Sequence, residues 1–86
     1  MTRRLTWTSD GWEDYQSWFQ QDPKSLKKID KLIESMMREP FEGIGKPEPL
    51  REDLAGFWSR RIDDAHRIVY AVDDVAITII QCRGHY

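Results

Sequence analysis

The chain changes its hydrophobic period once, at a proline-rich seam, and that change limits the folds open to it. Up to Met37 the large apolar residues recur at helical spacing, as Trp12, Tyr15 and Phe19 and then as Leu26, Ile29, Ile33 and Met36 or Met37. From Phe57 onward apolar and polar residues alternate, which is the period of strands. Residues 40–50 lie between, with three of the four prolines and two of the five glycines, and this composition predicts a connecting loop.

The elements follow from this division. Leu5 and Trp7 alternate with polar neighbours in a short first strand, and Asp10 with Glu13 three residues on predicts a capping box opening a helix. Asp22 and Pro23 supply an N-cap and a first helical position for a second helix, whose wet side carries Lys24, Lys27, Lys28 and Lys31. The methionine and aromatic stripe is read as core packing, since an amphipathic helix requires that spacing anyway. Residues 57–62, 66–72 and 75–83 read as three strands separated by the acidic turns Asp63-Asp64 and Asp73-Asp74. The order β-α-α-β-β-β predicts an α+β domain over residues 1–86, with two helices on one face of a small, largely antiparallel sheet. The partly open opposite face is where chemistry is expected.

Composition excludes several functions. Thirteen Lys and Arg against 15 Asp and Glu give a net charge of −2, which argues against a uniformly basic nucleic-acid coat and leaves room for a local basic patch. One cysteine, Cys82, cannot form an intramolecular disulfide, the first residues lack a signal-peptide stretch, and no apolar run approaches membrane length. The expectation is a soluble cytoplasmic protein. No zinc-ligand spacing and no calcium loop is present, so neither metal nor cofactor is expected.

The candidate chemistry lies in the second half. Alternation places Arg67 with Val69 and Ala71, away from the more apolar set His66, Ile68, Tyr70 and Val72. Arg67 either pairs with Asp63, Asp64 or Asp73, or binds an anion such as phosphate through its guanidinium fork. Arg51, Arg60, Arg61 and Arg83 accompany it, against one lysine, Lys46, and this bias hints at directed phosphate contacts on the sheet side. Glu48, between Pro47 and Pro49, is either part of a stiff polar loop or a carboxylate held rigidly enough to act as a general base. His85 and Tyr86 end the chain, where they either fray or supply an acid and a stacking ring. The serines lack a nucleophile-elbow surround, Cys82 reads as a buried inert thiol, and Gly43-Ile44-Gly45-Lys46 fails as a phosphate loop because Pro47 follows the lysine.

The segment 40–50, the runs 54–62 and 66–72, the terminal His85-Tyr86 and the early Trp7, Trp12 and Tyr15 together resemble the YoeB (Txe) toxins of the RelE-like superfamily, across essentially the whole chain. The resemblance implies a compact ribonuclease that enters the A site of the 70S ribosome, cuts translated mRNA and is neutralised by a Phd/YefM-type antitoxin. It further implies a homodimer, and operator DNA binding only through the antitoxin's own domain. Carried over by residue, it makes Glu48 the general base, Arg67 the transition-state arginine and His85 the general acid, with Tyr86 helping to hold the scissile nucleotide. Lys46, Arg61 and Arg51, the last standing where relatives commonly have Lys, would contact RNA. Two rival functions are a ParE-like inhibitor of DNA gyrase that acts by binding alone, and an RNA- or protein-binding module whose arginines only neutralise phosphate.

Overall fold

A computed structural model describes residues 3–84. In chain order it contains β1 (Arg4–Trp7), α1 (Ser9–Gln21), α2 (Pro23–Arg38), β2 (Glu48–Pro49), a 3-10 turn (Glu52–Leu54), β3 (Phe57–Arg61), β4 (Arg67–Val72) and β5 (Ala76–Gln81). The strands form one sheet in the order β1-β5-β4-β3-β2, with β1 parallel to β5 and every other pairing antiparallel. This is the expected α+β arrangement with one strand added.

The added strand is β2, inside the stretch predicted to be loop. Glu48 pairs with Ser59 and Pro49 with Trp58, at the edge of the sheet. An edge is where proline is tolerated in a sheet, because its missing N–H interrupts no ladder on the outer side. The central strands are trimmed relative to expectation because aspartates cap the turns. Asp63 Oδ1 accepts from the amides of Ala65 and His66, and Asp73 Oδ1 accepts from those of Val75 and Ala76, each at 2.7–2.8 Å.

The core lies between the helices and one face of the sheet. Leu26, Ile29, Ile33 and Met36 of α2 are buried as their spacing predicts, joined by Leu32, and they pack on Ile62, Ile68, Tyr70, Ile77 and Ile79. Burying each such aliphatic side chain is worth about 1.5–3 kcal/mol.

Helix α1 departs from its predicted face. Phe19 is 73% exposed and Trp12 46%, whereas Trp18 is buried and its indole Nε1 donates to the carbonyl of Cys82 at 2.8 Å. The reason is Gly11, two turns before Trp18, where a Cβ would collide with the Ile79 carbonyl. The helix approaches β5 along its glycine side, and the aromatic majority is left at the rim. Thr8, not Asp10, is the N-cap: its Oγ1 accepts from the Gly11 amide at 3.0 Å.

Candidate active site

The antiparallel registers assemble the site on the face away from the helices. Glu48 lies opposite Ser59, Ser59 opposite Val69, and Arg61 opposite Arg67. Directly opposed residues project to the same side of a sheet, so Glu48, Arg61 and Arg67 share this face, as alternation predicted for Arg67. Arg67 Nη1 donates to Glu48 Oε1 at 3.3 Å, reaching from β4 across β3 to β2. The carboxylates of Asp63 and Asp73 are instead engaged by turn amides. The Glu48 contact is longer than the roughly 2.7–2.9 Å of a tight charge-assisted hydrogen bond, and the Glu48 side chain is 53% exposed. The Arg67 side chain is 16% exposed, but with its partner half in water the pair is screened and adds about 1 kcal/mol to stability.

The other predicted cations stand on neighbouring segments. Arg61 is exposed, and its amide donates to the carbonyl of Gly45 at 2.7 Å, which fixes the loop carrying Lys46 against β3. Lys46 is exposed and sits at φ 52°, a left-handed backbone that costs a non-glycine residue roughly 1–2 kcal/mol. Arg51 is exposed and lines, with Glu48 and Glu52, an open groove of about 470 Å³. A second groove of about 360 Å³, on the α1 side, is lined by Asp10, Glu13 and Asp14 beside Arg83 and suits a phosphate backbone poorly.

Gly84, the last described residue, is bound to the start of β4. The Arg67 amide donates to the Gly84 carbonyl at 3.0 Å, and the Gly84 amide donates to His66 Nδ1 at 2.7 Å. His66 rests edge-on against Trp18, over whose ring the Arg83 guanidinium also lies at 4.5 Å. Sequence reasoning gave His66 no role. Its position one residue before Arg67, on the opposite side of the strand, was the available signal. The candidate acid His85 and Tyr86 lie outside the described residues.

Two arginines proposed for the sheet side do not serve the open face. Arg60 is fully buried on the core side of β3, with the outward positions taken by Ser59 and Arg61. Arg83 packs on α1, donating to Ser17 Oγ at 2.8 Å and to the Gln21 side chain. Cys82 is fully buried, and that burial, with the nearby Asp14 charge, pushes its thiol up to about 12, far from a reactive thiolate. Ser59 and Val69, beside Glu48 on the open face, are themselves buried, and Ser59 Oγ has no hydrogen-bond partner among the described residues. The middle of that face is therefore packed at Ser59 and Val69, and Glu48, Arg61 and Arg67 form a charged margin beside it.

Comparison with known proteins identifies the family and the fold. Residues 7–86 match the family model of the YoeB-like toxin of bacterial type II toxin-antitoxin systems. The chain is 55% identical over 83 residues to Toxin YoeB of Streptomyces coelicolor, covering 96% of this chain and 99% of that one. A YoeB dimer from Staphylococcus aureus superposes with a TM-score of 0.91 at 45% identity, covering all of both chains. A YoeB-YefM complex from Staphylococcus aureus does so with a TM-score of 0.88 at 44% identity, again covering both chains fully. The chain belongs to the YoeB-like toxins of bacterial type II toxin-antitoxin systems.

Proposed function

We propose that this toxin is a metal-independent endoribonuclease that cuts translated mRNA in the A site of the 70S ribosome. The observation that carries the reading is the Glu48 carboxylate within hydrogen-bond reach of Arg67, on an open face where Arg61 stands beside Arg67. Glu48 takes the proton of the ribose 2′-OH, and the resulting oxygen attacks the adjacent phosphorus. Arg67 moves from the carboxylate to the charge growing on the non-bridging oxygens. His85, next in the chain after the Gly84 that is bound to Arg67, protonates the departing 5′-oxygen, and Tyr86 stacks on the scissile nucleotide. Lys46, Arg51 and Arg61 bind the flanking phosphates. The products are a 2′,3′-cyclic phosphate and a 5′-hydroxyl.

The toxin acts in the cytoplasm and is neutralised by a Phd/YefM-type antitoxin, as the Staphylococcus aureus homologue in complex with YefM suggests. A homodimer is proposed on the Staphylococcus aureus YoeB dimer, and operator DNA is contacted only through the antitoxin. The test is a ribosome-bound mRNA carrying a 2′-deoxy nucleotide at the cleavage position. It should resist the toxin; cutting at that position would end the proposed mechanism.

A further inference from the structure

We infer that Arg60 is a positioning residue for catalysis, fixing Glu48 from inside the core through the loop that precedes it. The inference rests on the reading of Glu48 as the general base. Arg60 is completely buried, and each of its five N–H donors is used. Nε donates to Tyr70 Oη at 3.1 Å, Nη1 to Ser35 Oγ at 2.8 Å and the Ile44 carbonyl at 3.1 Å, and Nη2 to the carbonyls of Glu39 at 2.8 Å and Glu42 at 2.9 Å. Tyr70 Oη in turn donates to the Pro40 carbonyl at 2.7 Å.

The carbonyls of residues 39, 40, 42 and 44 are thus turned inward and satisfied by one guanidinium and the phenol it touches. No carboxylate is among these partners; backbone dipoles take the place of a counter-ion. Gly43 and Gly45, both at positive φ, let the loop close over the group, since a Cβ on Gly43 would lie 3.2 Å from Arg60 Nη1 and one on Gly45 3.2 Å from Arg60 Cβ.

The loop needs this internal anchor because β2 is thinly bonded. Pro47 and Pro49 have no N–H, so among residues 47–49 only the Glu48 amide can donate to a neighbour. Beside its short pairing with β3 and the Arg61 amide's bond to the Gly45 carbonyl, the position of Glu48 relative to Arg67 depends on the upstream segment that Arg60 holds. A shift of about 1 Å at a reacting group can lower a rate on the order of 100-fold. Lysine cannot replace the fork, since one ammonium with three donors does not reach acceptors arranged around a planar group.

The test combines Arg60→Lys and Arg60→Met with Glu48→Gln. Amide hydrogen exchange reports the loop directly: the Glu42 amide, which donates to the Glu39 carbonyl, and the Arg61 amide, which donates to the Gly45 carbonyl, should lose protection in both Arg60 variants while those of β4 and β5 keep it. In single-turnover cleavage on saturating programmed ribosomes, each Arg60 variant should be slower by about 10-fold or more, with ribosome affinity unchanged. In the Glu48→Gln background, the Arg60 substitutions should cost little further rate. Unchanged loop protection, or an equal fold-loss with and without Glu48, overturns the positioning role. Loss of protection across the whole sheet also overturns it, since Arg60 would then support the fold rather than the loop. A Glu48→Gln protein that cuts at the normal rate removes the general-base reading itself, whatever the loop amides show.

Discussion

Glu48 and Arg67 meet at 3.3 Å although a whole strand separates them: the carboxylate leaves β2, the guanidinium leaves β4, and β3 runs between. Ser59, directly opposite Glu48 on β3, is small enough for the two side chains to meet over it. Because the Glu48 side chain is half in water, the pair adds little to stability. Glu48→Gln should therefore unfold within about 1 kcal/mol of wild type in urea while losing at least about 100-fold in cleavage rate. A large stability loss with activity intact would make the pair structural.

Ser59 Oγ is buried on the same face without a hydrogen-bond partner among the described residues. An unsatisfied buried hydroxyl costs about 1–3 kcal/mol, and alanine removes it while leaving only a small void. Ser59→Ala is expected to raise the urea midpoint; a drop of more than about 1 kcal/mol in stability would mean the hydroxyl is satisfied in solution.

At Gly11 helix propensity and packing oppose each other. Alanine in place of glycine inside a helix favours folding by about 1 kcal/mol, but its Cβ here would collide with the Ile79 carbonyl, which is backbone and cannot swing away. Overpacking of this kind costs typically 1–3 kcal/mol, so Gly11→Ala should lower the melting temperature. A higher melting temperature would show that α1 can lift from β5 without loss.

Tyr15 gives the fold an alkaline limit. Its phenol is pushed from 10.0 up to about 12, first by burial and then by its hydrogen bond to Asp30 at 2.8 Å and that carboxylate's charge. A group whose folded pKa is raised stabilises the fold fully below its unfolded pKa and loses that contribution as pH climbs through the folded value. Stability should accordingly fall between pH 10 and about 12, and Tyr15→Phe should flatten part of that fall. Tyr70, also raised by burial, accounts for a remainder. Identical alkaline profiles for the two proteins would contradict the assignment.

How much of this was legible in the sequence depended on whether a residue's role was local. Pro23 at the first turn and the Leu26, Ile29, Ile33, Met36 spacing fix α2 because start signals and periodicity act within a few residues; Asp22 stands at the N-cap position without a side-chain bond to a helix amide. Arg67 was placed on the outward face by alternation alone. The packing face of α1 was not legible, since it is set by the smallness of Gly11, which carries no hydrophobic signal. Nor was Arg60 separable from Arg61: the two are adjacent and chemically identical, and only the parity of β3 sends one to the core and the other to solvent. Glu48 was identified as a rigid carboxylate, but its meeting with Arg67 depends on the short pairing of β2 with β3, which proline content argued against.

The central claim is that Glu48 and Arg67 are the base and the charge-stabilising group of a 2′-OH attack, and the ends of the cut mRNA test it most directly. Programmed ribosomes treated with this toxin should yield 2′,3′-cyclic phosphate and 5′-hydroxyl ends at one position in the A-site codon. Glu48→Gln and Arg67→Ala should each reduce that product by about 100-fold or more. Translation arrest with intact mRNA, or ends that persist unchanged in both variants, would contradict the account.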